Sequence, residues 1–110
     1  MEAWTVETLD ETVDEELESL PADMRARFIR ISELIETFGP FQVGMPHIRS
    51  LSQKLWEIRV KGKDGIARGI YVVATGRRVV VVHAFVKKTQ KTPAAALTLA
   101  TKRAKEAGLL

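Results

Sequence analysis

The feature that most constrains the fold is a change of hydrophobic period near Lys54. From there to Val86, apolar and polar residues alternate with a period of two, which is typical of β-strands. Two turn signals interrupt the alternation, one at 61–65 with its Asp-Gly pair and one at 75–77. The pattern therefore predicts three consecutive strands that form an antiparallel meander.

The first 40 residues predict an edge strand and two helices. Trp4 to Leu9 alternates like a short strand, and Thr12-x-x-Glu15 matches a helical capping box. A second helix begins near Pro21, carries an apolar stripe at 3.6-residue spacing and ends at Gly39-Pro40. Two short helices joined at Pro21 predict a helical hairpin that covers one face of the sheet. We interpret residues 41–52 as an irregular connection.

Thr92-Pro93 predicts the start of a last helix, with Thr92 as the N-cap residue. The predicted order is β-α-α-β-β-β-α, an α+β fold with a small antiparallel sheet, a helical hairpin on one face and a C-terminal helix. The length of 110 residues suits one domain spanning residues 1–110.

Charge is distributed unevenly along the chain. Residues 1–20 hold eight acids and no base, whereas residues 46–110 hold fourteen bases and three acids, a net charge of +11. Such a basic segment favours a polyanionic partner, with an ordinary solvated surface as the alternative. The chain has no run long enough to cross a membrane, and its start is acidic, unlike a signal peptide. We therefore expect a cytoplasmic protein.

Strand alternation sorts the polar side chains of the meander by face. If the helical hairpin covers Trp56, Ile58, Val80 and Val82, the opposite face carries Glu57, Arg59, His83, Phe85 and Lys87, and Arg68 as well if the register allows. Cations beside an aromatic ring suit an RNA backbone with a stacked base. Structural alternatives remain for each group: Arg59 pairs with Glu57, His83 and Phe85 belong to the core, and residues 87–91 form a solvated loop.

The sequence lacks most known catalytic signatures. It contains no phosphate-binding loop, no dinucleotide fingerprint and no cysteine, and His47 and His83 alone do not form a zinc site. Glu57 and Asp64 are the only carboxylates of the meander, too few for a two-metal nuclease. Metal-free RNA cleavage stays open, because Lys, Arg and His can supply the base, the cations and the acid that it needs.

Several segments are similar to one protein family: Leu55-Trp56-Glu57-Ile58-Arg59, Gly65-Ile66-Ala67-Arg68 with Tyr71, and the block from Val82 to Pro93 with its His-x-Phe-x-Lys-Lys-Thr-x-Lys-Thr-Pro pattern. With Ala100-x-x-Arg103 and the helix ends near Pro21 and Gly39, they resemble the HigB-like, phage-derived branch of the RelE/ParE toxin superfamily. The resemblance covers nearly the whole chain.

This resemblance implies a RelE-like fold and a toxin of a type II toxin–antitoxin system. The expected activity is ribosome-dependent mRNA cleavage through the ribose 2′-hydroxyl, without a metal ion or other cofactor. The expected partners are the ribosome with its mRNA and a cognate antitoxin, often a helix-turn-helix protein. Operator DNA would be contacted only through the antitoxin, and no membrane is involved.

The resemblance also assigns roles to residues. Arg68 is expected to hold the scissile phosphate, Lys87 and Lys88 to bind phosphate or stabilise the transition state, and His83 to act in acid–base chemistry or in structure. We expect Arg68→Ala to lower toxicity and leave folding intact. The further residues expected to contact RNA or the ribosome are Lys54, Arg59, Lys61, Lys63, Tyr71, Phe85 and Lys91.

The sequence departs from the family pattern at Ala67, where tyrosine is usual, and at Gly69-Ile70. Two alternatives to the nuclease stay open. One is a ParE-like toxin that inhibits DNA gyrase by binding, since a fold does not fix function. The other is an inactive module that binds RNA or an antitoxin.

Overall fold

A computed structural model describes residues 3–43, 48–52, 54–87 and 91–110. These residues form a five-stranded sheet in the order β1-β5-β4-β3-β2 with four helices. The elements are β1 (Thr5–Thr8), α1 (Glu11–Glu18), α2 (Ala22–Phe38), α3 (Pro40–Val43), β2 (Ile48–Ser52), β3 (Leu55–Gly62), β4 (Gly65–Ala74), β5 (Arg78–Lys87) and α4 (Ala94–Glu106). The α+β prediction and the β3-β4-β5 meander are confirmed.

The sheet differs from the prediction at both edges. β1 pairs with β5 in parallel, so the sheet is mixed rather than wholly antiparallel. The segment 41–52, interpreted as irregular, contains most of α3 and the edge strand β2, which is antiparallel to β3 with a register shift between Ser50 and Ser52. The two apolar residues of β2, Ile48 and Leu51, lie three positions apart, and this spacing carries no strand signal in the sequence.

The predicted helix caps are wrong by a few residues. Asp10, not Thr12, caps α1, and its side chain accepts a hydrogen bond from the Val13 N–H at 3.1 Å. Pro93 occupies the N-cap position of α4, and the Thr92 hydroxyl donates to the Glu57 carboxylate instead. The competing acceptor is distant in sequence, so the local pattern could not reveal it.

Helices cover both faces of the sheet. The face under α1 and α2, here called the hairpin face, buries Ile58, Tyr71 and Val81. The other face, called the α4 face, buries Leu55, Ile70 and Val80 against small residues of α4. No helix among the described residues is long and apolar enough to cross a membrane.

A β-bulge in β5 changes which side chains share a face. Tyr71 lies opposite Val81, but the preceding residue, Ile70, lies opposite His83, so Val82 is the extra residue of β5. Val82 and Val80 therefore pack on the α4 face, and their predicted place under the helical hairpin is wrong. The bulge interrupts the alternation at this point, so the adjacent residues Val82 and His83 both lie on the α4 face. His83 is therefore on the face where the alternation predicted it.

Gly69 allows α2 to approach β4 closely. A Cβ atom at this position would lie 2.4 Å from Cε2 of Phe28, far inside van der Waals contact. Glycine at position 69, where the sequence departs from the family pattern, thus leaves room for the ring of Phe28 on the facing helix.

We expect Gly69→Ala to lower the free energy of unfolding by about 1–3 kcal/mol, because the new methyl group overpacks the contact with Phe28. Urea unfolding measures the change. Adding Phe28→Leu should recover part of the loss in the double variant, and unchanged stability of Gly69→Ala would contradict the packing.

Candidate nucleic-acid interface

Two cross-strand rows bring basic side chains together on the α4 face. Arg59, Arg68 and Phe85 lie directly opposite one another on β3, β4 and β5. In the next row, Lys61 and Lys87 flank Ile66. The basic end of the sheet, as we call it, comprises the exposed residues Lys61, Lys63, Lys87 and Lys91. Lys61, Lys63 and Lys87 lie where the β3–β4 hairpin and the end of β5 meet, and Lys91 immediately precedes Thr92, whose hydroxyl contacts Glu57.

The tip of the β3–β4 hairpin is held against the start of α2. The Lys63 N–H donates to Asp23 at 3.0 Å, and the Arg27 guanidinium donates to the carbonyl oxygen of Lys61. The hydrogen bond from Lys63 is the main cause that holds the pKa of Asp23 below its ordinary value. These contacts fix the backbone of the tip and leave the lysine side chains in solvent.

A buried polar network lies beside this basic end. The Glu57 carboxylate is fully buried and lies 3.4 Å from Nε of Arg49 and 3.4 Å from Nε of Arg59. The Thr92 hydroxyl donates to Glu57 and accepts from Arg68 at 3.3 Å. The network therefore ties β2, β3 and β4 to the residue that precedes α4. The alternative of a pair between Arg59 and Glu57 is observed.

Arg68 is buried, and this corrects two expectations. Its side chain is among the largest fully buried ones of the protein, so it does not lie on an open phosphate-binding surface in this structure. Burial lowers the pKa of Arg68, the Glu57 charge opposes this, and the positive charges of Arg59 and Arg49 add to the lowering. Arg68→Ala would remove a partner from a buried network, so intact folding is no longer expected.

His83 contacts charged groups from two helices. Its Nδ1 lies 3.0 Å from Oε1 of Glu16 on α1, and Arg103 on α4 binds both oxygens of the same carboxylate at 3.0 Å. The His83 ring stacks on Phe85, with ring centroids 4.9 Å apart. The half-buried Phe85 therefore contacts His83 on one side and lies in the same cross-strand row as Arg59 and Arg68.

Two residues expected to contact RNA lie elsewhere. Tyr71 is fully buried on the hairpin face, because its position in β4 points toward α2. Lys54 is exposed but precedes β3, at the opposite end of the strand from Lys61, about 23 Å away at the usual strand rise. Both are removed from the predicted RNA-contacting set. Lys88 and His47 lie outside the described residues.

The Tyr71 hydroxyl has no hydrogen-bond partner among the described residues, and burial raises its pKa above the ordinary value of 10.0. We expect Tyr71→Phe to raise the free energy of unfolding by up to about 1 kcal/mol, because an unsatisfied buried hydroxyl is removed. Thermal and urea unfolding measure this change. A lower stability, or a loss of RNA cleavage at full stability, would contradict the assignment to the core.

Ala67 also points away from the α4 face. It is fully buried among the residues of the hairpin face, opposite Val60 and Val86. The absence of the usual tyrosine therefore removes no side chain from the basic end or from the Arg59 row. This observation weakens the argument for an inactive module.

The sequence did not reveal Glu16, Asp23 and Thr92 as parts of the site. Each acts through a contact 24 or more residues away in sequence, and each also fits a local role in a helix end or an acidic surface. Arg103 is one of the residues that carry the family resemblance, but its partner Glu16 is not. Among the described residues, no group of three His, Cys, Asp or Glu side chains could hold a metal ion.

Comparisons with known proteins agree on family and fold. The family described as "Phage derived protein Gp49-like (DUF891)" matches residues 15–105. No curated protein matches the sequence. The predicted relation to the phage-derived, HigB-like branch is thus confirmed at the level of the family.

Two solved structures have the same fold. RelE in a crystal structure of the archaeal RelE–RelB complex from Pyrococcus horikoshii OT3 is 20% identical, with a TM-score of 0.57 over 81% of this chain and 99% of that chain. A double mutant of the E. coli toxin RelE in the free state is 17% identical, with a TM-score of 0.60 over 92% of this chain and 97% of that chain. The RelE-like fold is confirmed.

Proposed function

We propose that this chain, which belongs to the phage-derived Gp49-like family, is the toxin of a type II toxin–antitoxin pair and cleaves mRNA on the ribosome. The observation that carries the activity is the basic end, placed beside the row of Arg59, Arg68 and Phe85. The RelE-like fold supports the toxin class, and the RelB bound to the Pyrococcus horikoshii protein supports an antitoxin partner.

The geometry suits a single-stranded RNA backbone. Lys61 and Lys87 lie two strands apart with their side chains exposed, so they can contact successive phosphates. Phe85 offers part of a ring for stacking a base, and Arg59 adds a partly exposed guanidinium. Arg68, the buried member of the row, adds positive potential, which favours the negative charge that develops on the phosphoryl oxygens during cleavage.

Further parts of the proposal come from the family resemblance. The antitoxin is a small protein, often of the helix-turn-helix class, and it carries the contact with operator DNA. The cleavage uses the ribose 2′-hydroxyl and works in the cytoplasm without a metal ion or other cofactor. Lys88 remains a candidate phosphate-binding residue.

Induced expression in bacteria tests this function. We expect growth arrest accompanied by new transcript 5′ ends inside translated codons, and rescue by co-expression of the protein encoded by the adjacent gene. Arrest with intact transcripts and an SOS response would instead indicate a gyrase inhibitor. Arrest with neither would contradict both activities.

Binding to ribosomes is expected to weaken steeply with salt. If the four lysines of the basic end each neutralise one phosphate, a plot of the logarithm of the binding constant against the logarithm of salt concentration should have a slope of about −3. Sedimentation between low and moderate salt measures this slope. A flat response would show that the basic end does not bind a polyanion.

A further inference from the structure

The open edge of β5 is closed by an ion pair instead of a strand. β1 pairs with β5 only as far as Val81, and beyond it the Ala84 N–H donates to Glu16 at 3.1 Å. Arg103 donates to the Val82 carbonyl oxygen at 2.9 Å and binds the Glu16 carboxylate as well. The position of Glu16 is therefore fixed by main-chain and side-chain contacts from β5 and α4.

The same carboxylate determines which ring nitrogen of His83 carries the proton. Burial raises the pKa of Glu16, but hydrogen bonds from Arg103, His83 and Ala84 outweigh it, and the pKa lies below the ordinary 4.5. An ionised carboxylate only accepts hydrogen bonds, so Nδ1 of His83, at 3.0 Å, must be the donor. In the neutral imidazole the lone pair then lies on Nε2.

Arg103 does not compete for this nitrogen. Its guanidinium nitrogen lies 3.4 Å from Nδ1, but a guanidinium has only donors and cannot accept the Nδ1 proton. It binds the carboxylate and the Val82 carbonyl instead. Among the described residues, the charged groups that contact His83 are thus Glu16 from α1 and Arg103 from α4, and its cross-strand neighbour on β4, Ile70, is uncharged.

We propose that His83 is the proton acceptor of the cleavage reaction and that Glu16 is the positioning residue that orients it. This inference rests on the proposed function. Nε2 of His83 takes the proton of a ribose 2′-hydroxyl, and the 2′-oxygen forms a bond to the adjacent phosphorus. The P–O5′ bond breaks with its electron pair on the 5′-oxygen, which takes a proton from water. The products are a 2′,3′-cyclic phosphate and a 5′-hydroxyl.

Single-turnover cleavage of mRNA on ribosomes, measured against pH, tests the assignment. In the wild-type protein the rate should rise with pH as the imidazole becomes neutral, and then reach a plateau. Glu16→Gln should lower the plateau by about tenfold, because a neutral amide no longer requires the proton on Nδ1 and the lone pair is then no longer held on Nε2. His83→Gln should abolish the rise and lower the plateau by about 100-fold or more. Glu15→Gln is the matched control on α1 and should change neither.

The alternative is that Glu16 and Arg103 only close the sheet edge. In that case Glu16→Gln would lower the melting temperature and leave the plateau rate unchanged, which overturns the inference but not the proposed function. Nitrogen NMR of the His83 ring gives a second readout, and a wild-type ring protonated at Nε2 alone would also overturn it. No cleavage by the wild-type protein would instead overturn the proposed function, and the mechanism with it.

Discussion

Replacement of Glu57 by alanine is expected to lower the free energy of unfolding by about 3–5 kcal/mol. The carboxylate is fully buried, lies 3.4 Å from Arg49 and from Arg59, and accepts a hydrogen bond from Thr92. Its removal leaves the fully buried Arg68 and the partly buried Arg59 and Arg49 without the anion that offsets their desolvation and mutual repulsion. A loss of this size is a large part of the total stability of a small domain, so the variant should be near its unfolding midpoint at 37 °C.

Urea unfolding at neutral pH measures this effect, with Glu7→Ala as the matched control. Glu7 also forms an ion pair with an arginine, Arg78, but both side chains are more than one-third exposed. The control should therefore lose less than about 1 kcal/mol. A loss below about 1 kcal/mol for Glu57→Ala would show that the network contributes nothing to stability.

The second large effect concerns the basic end. We expect the double variant Lys61→Ala, Lys87→Ala to lose about 100-fold in mRNA cleavage, because each lysine contributes about 1.5 kcal/mol of charge-assisted contact with phosphate. Both side chains are exposed, so the urea midpoint should stay within experimental error of the wild type. Reconstituted cleavage on programmed ribosomes measures the loss.

Two controls separate position from net charge. Lys102→Ala, Lys105→Ala removes the same number of exposed positive charges from α4, and Lys54→Ala removes one from the far end of β3. Both should cleave nearly as well as the wild type. Equal losses in the two double variants, with a smaller loss in Lys54→Ala, would show that only the overall charge matters.

The local patterns of the sequence were sufficient for the main elements of the fold. The alternation from Lys54 to Val86 correctly indicated the meander, and the apolar stripe between Met24 and Phe38 correctly indicated α2. The sequence did not indicate β2, because its two apolar residues do not alternate with a period of two. It did not indicate the bulge at Val82 either, because one extra residue in a run of valines leaves the hydrophobic pattern unchanged.

The sequence predicted which residue types form the candidate site better than it predicted which of these side chains are exposed. The lysines at 61, 63 and 87 are exposed as expected at strand ends and turns. Arg68 and Tyr71 were expected at the surface, but both are buried. Arg68 has polar partners in the interior, Thr92 and Glu57, and Tyr71 is covered by α2. Burial of a polar residue depends on partners distant in sequence, which strand alternation alone does not identify.

Cleavage by the purified protein tests the central claim most directly. The protein is mixed with ribosomes that hold a defined mRNA codon, and primer extension maps the 5′ ends of the products. We predict cleavage within the ribosome-bound codon by the wild-type protein and about 100-fold less by the Lys61→Ala, Lys87→Ala variant. Intact mRNA would contradict the assignment as an mRNA-cleaving toxin, provided that the same wild-type preparation is found to unfold cooperatively and to bind ribosomes.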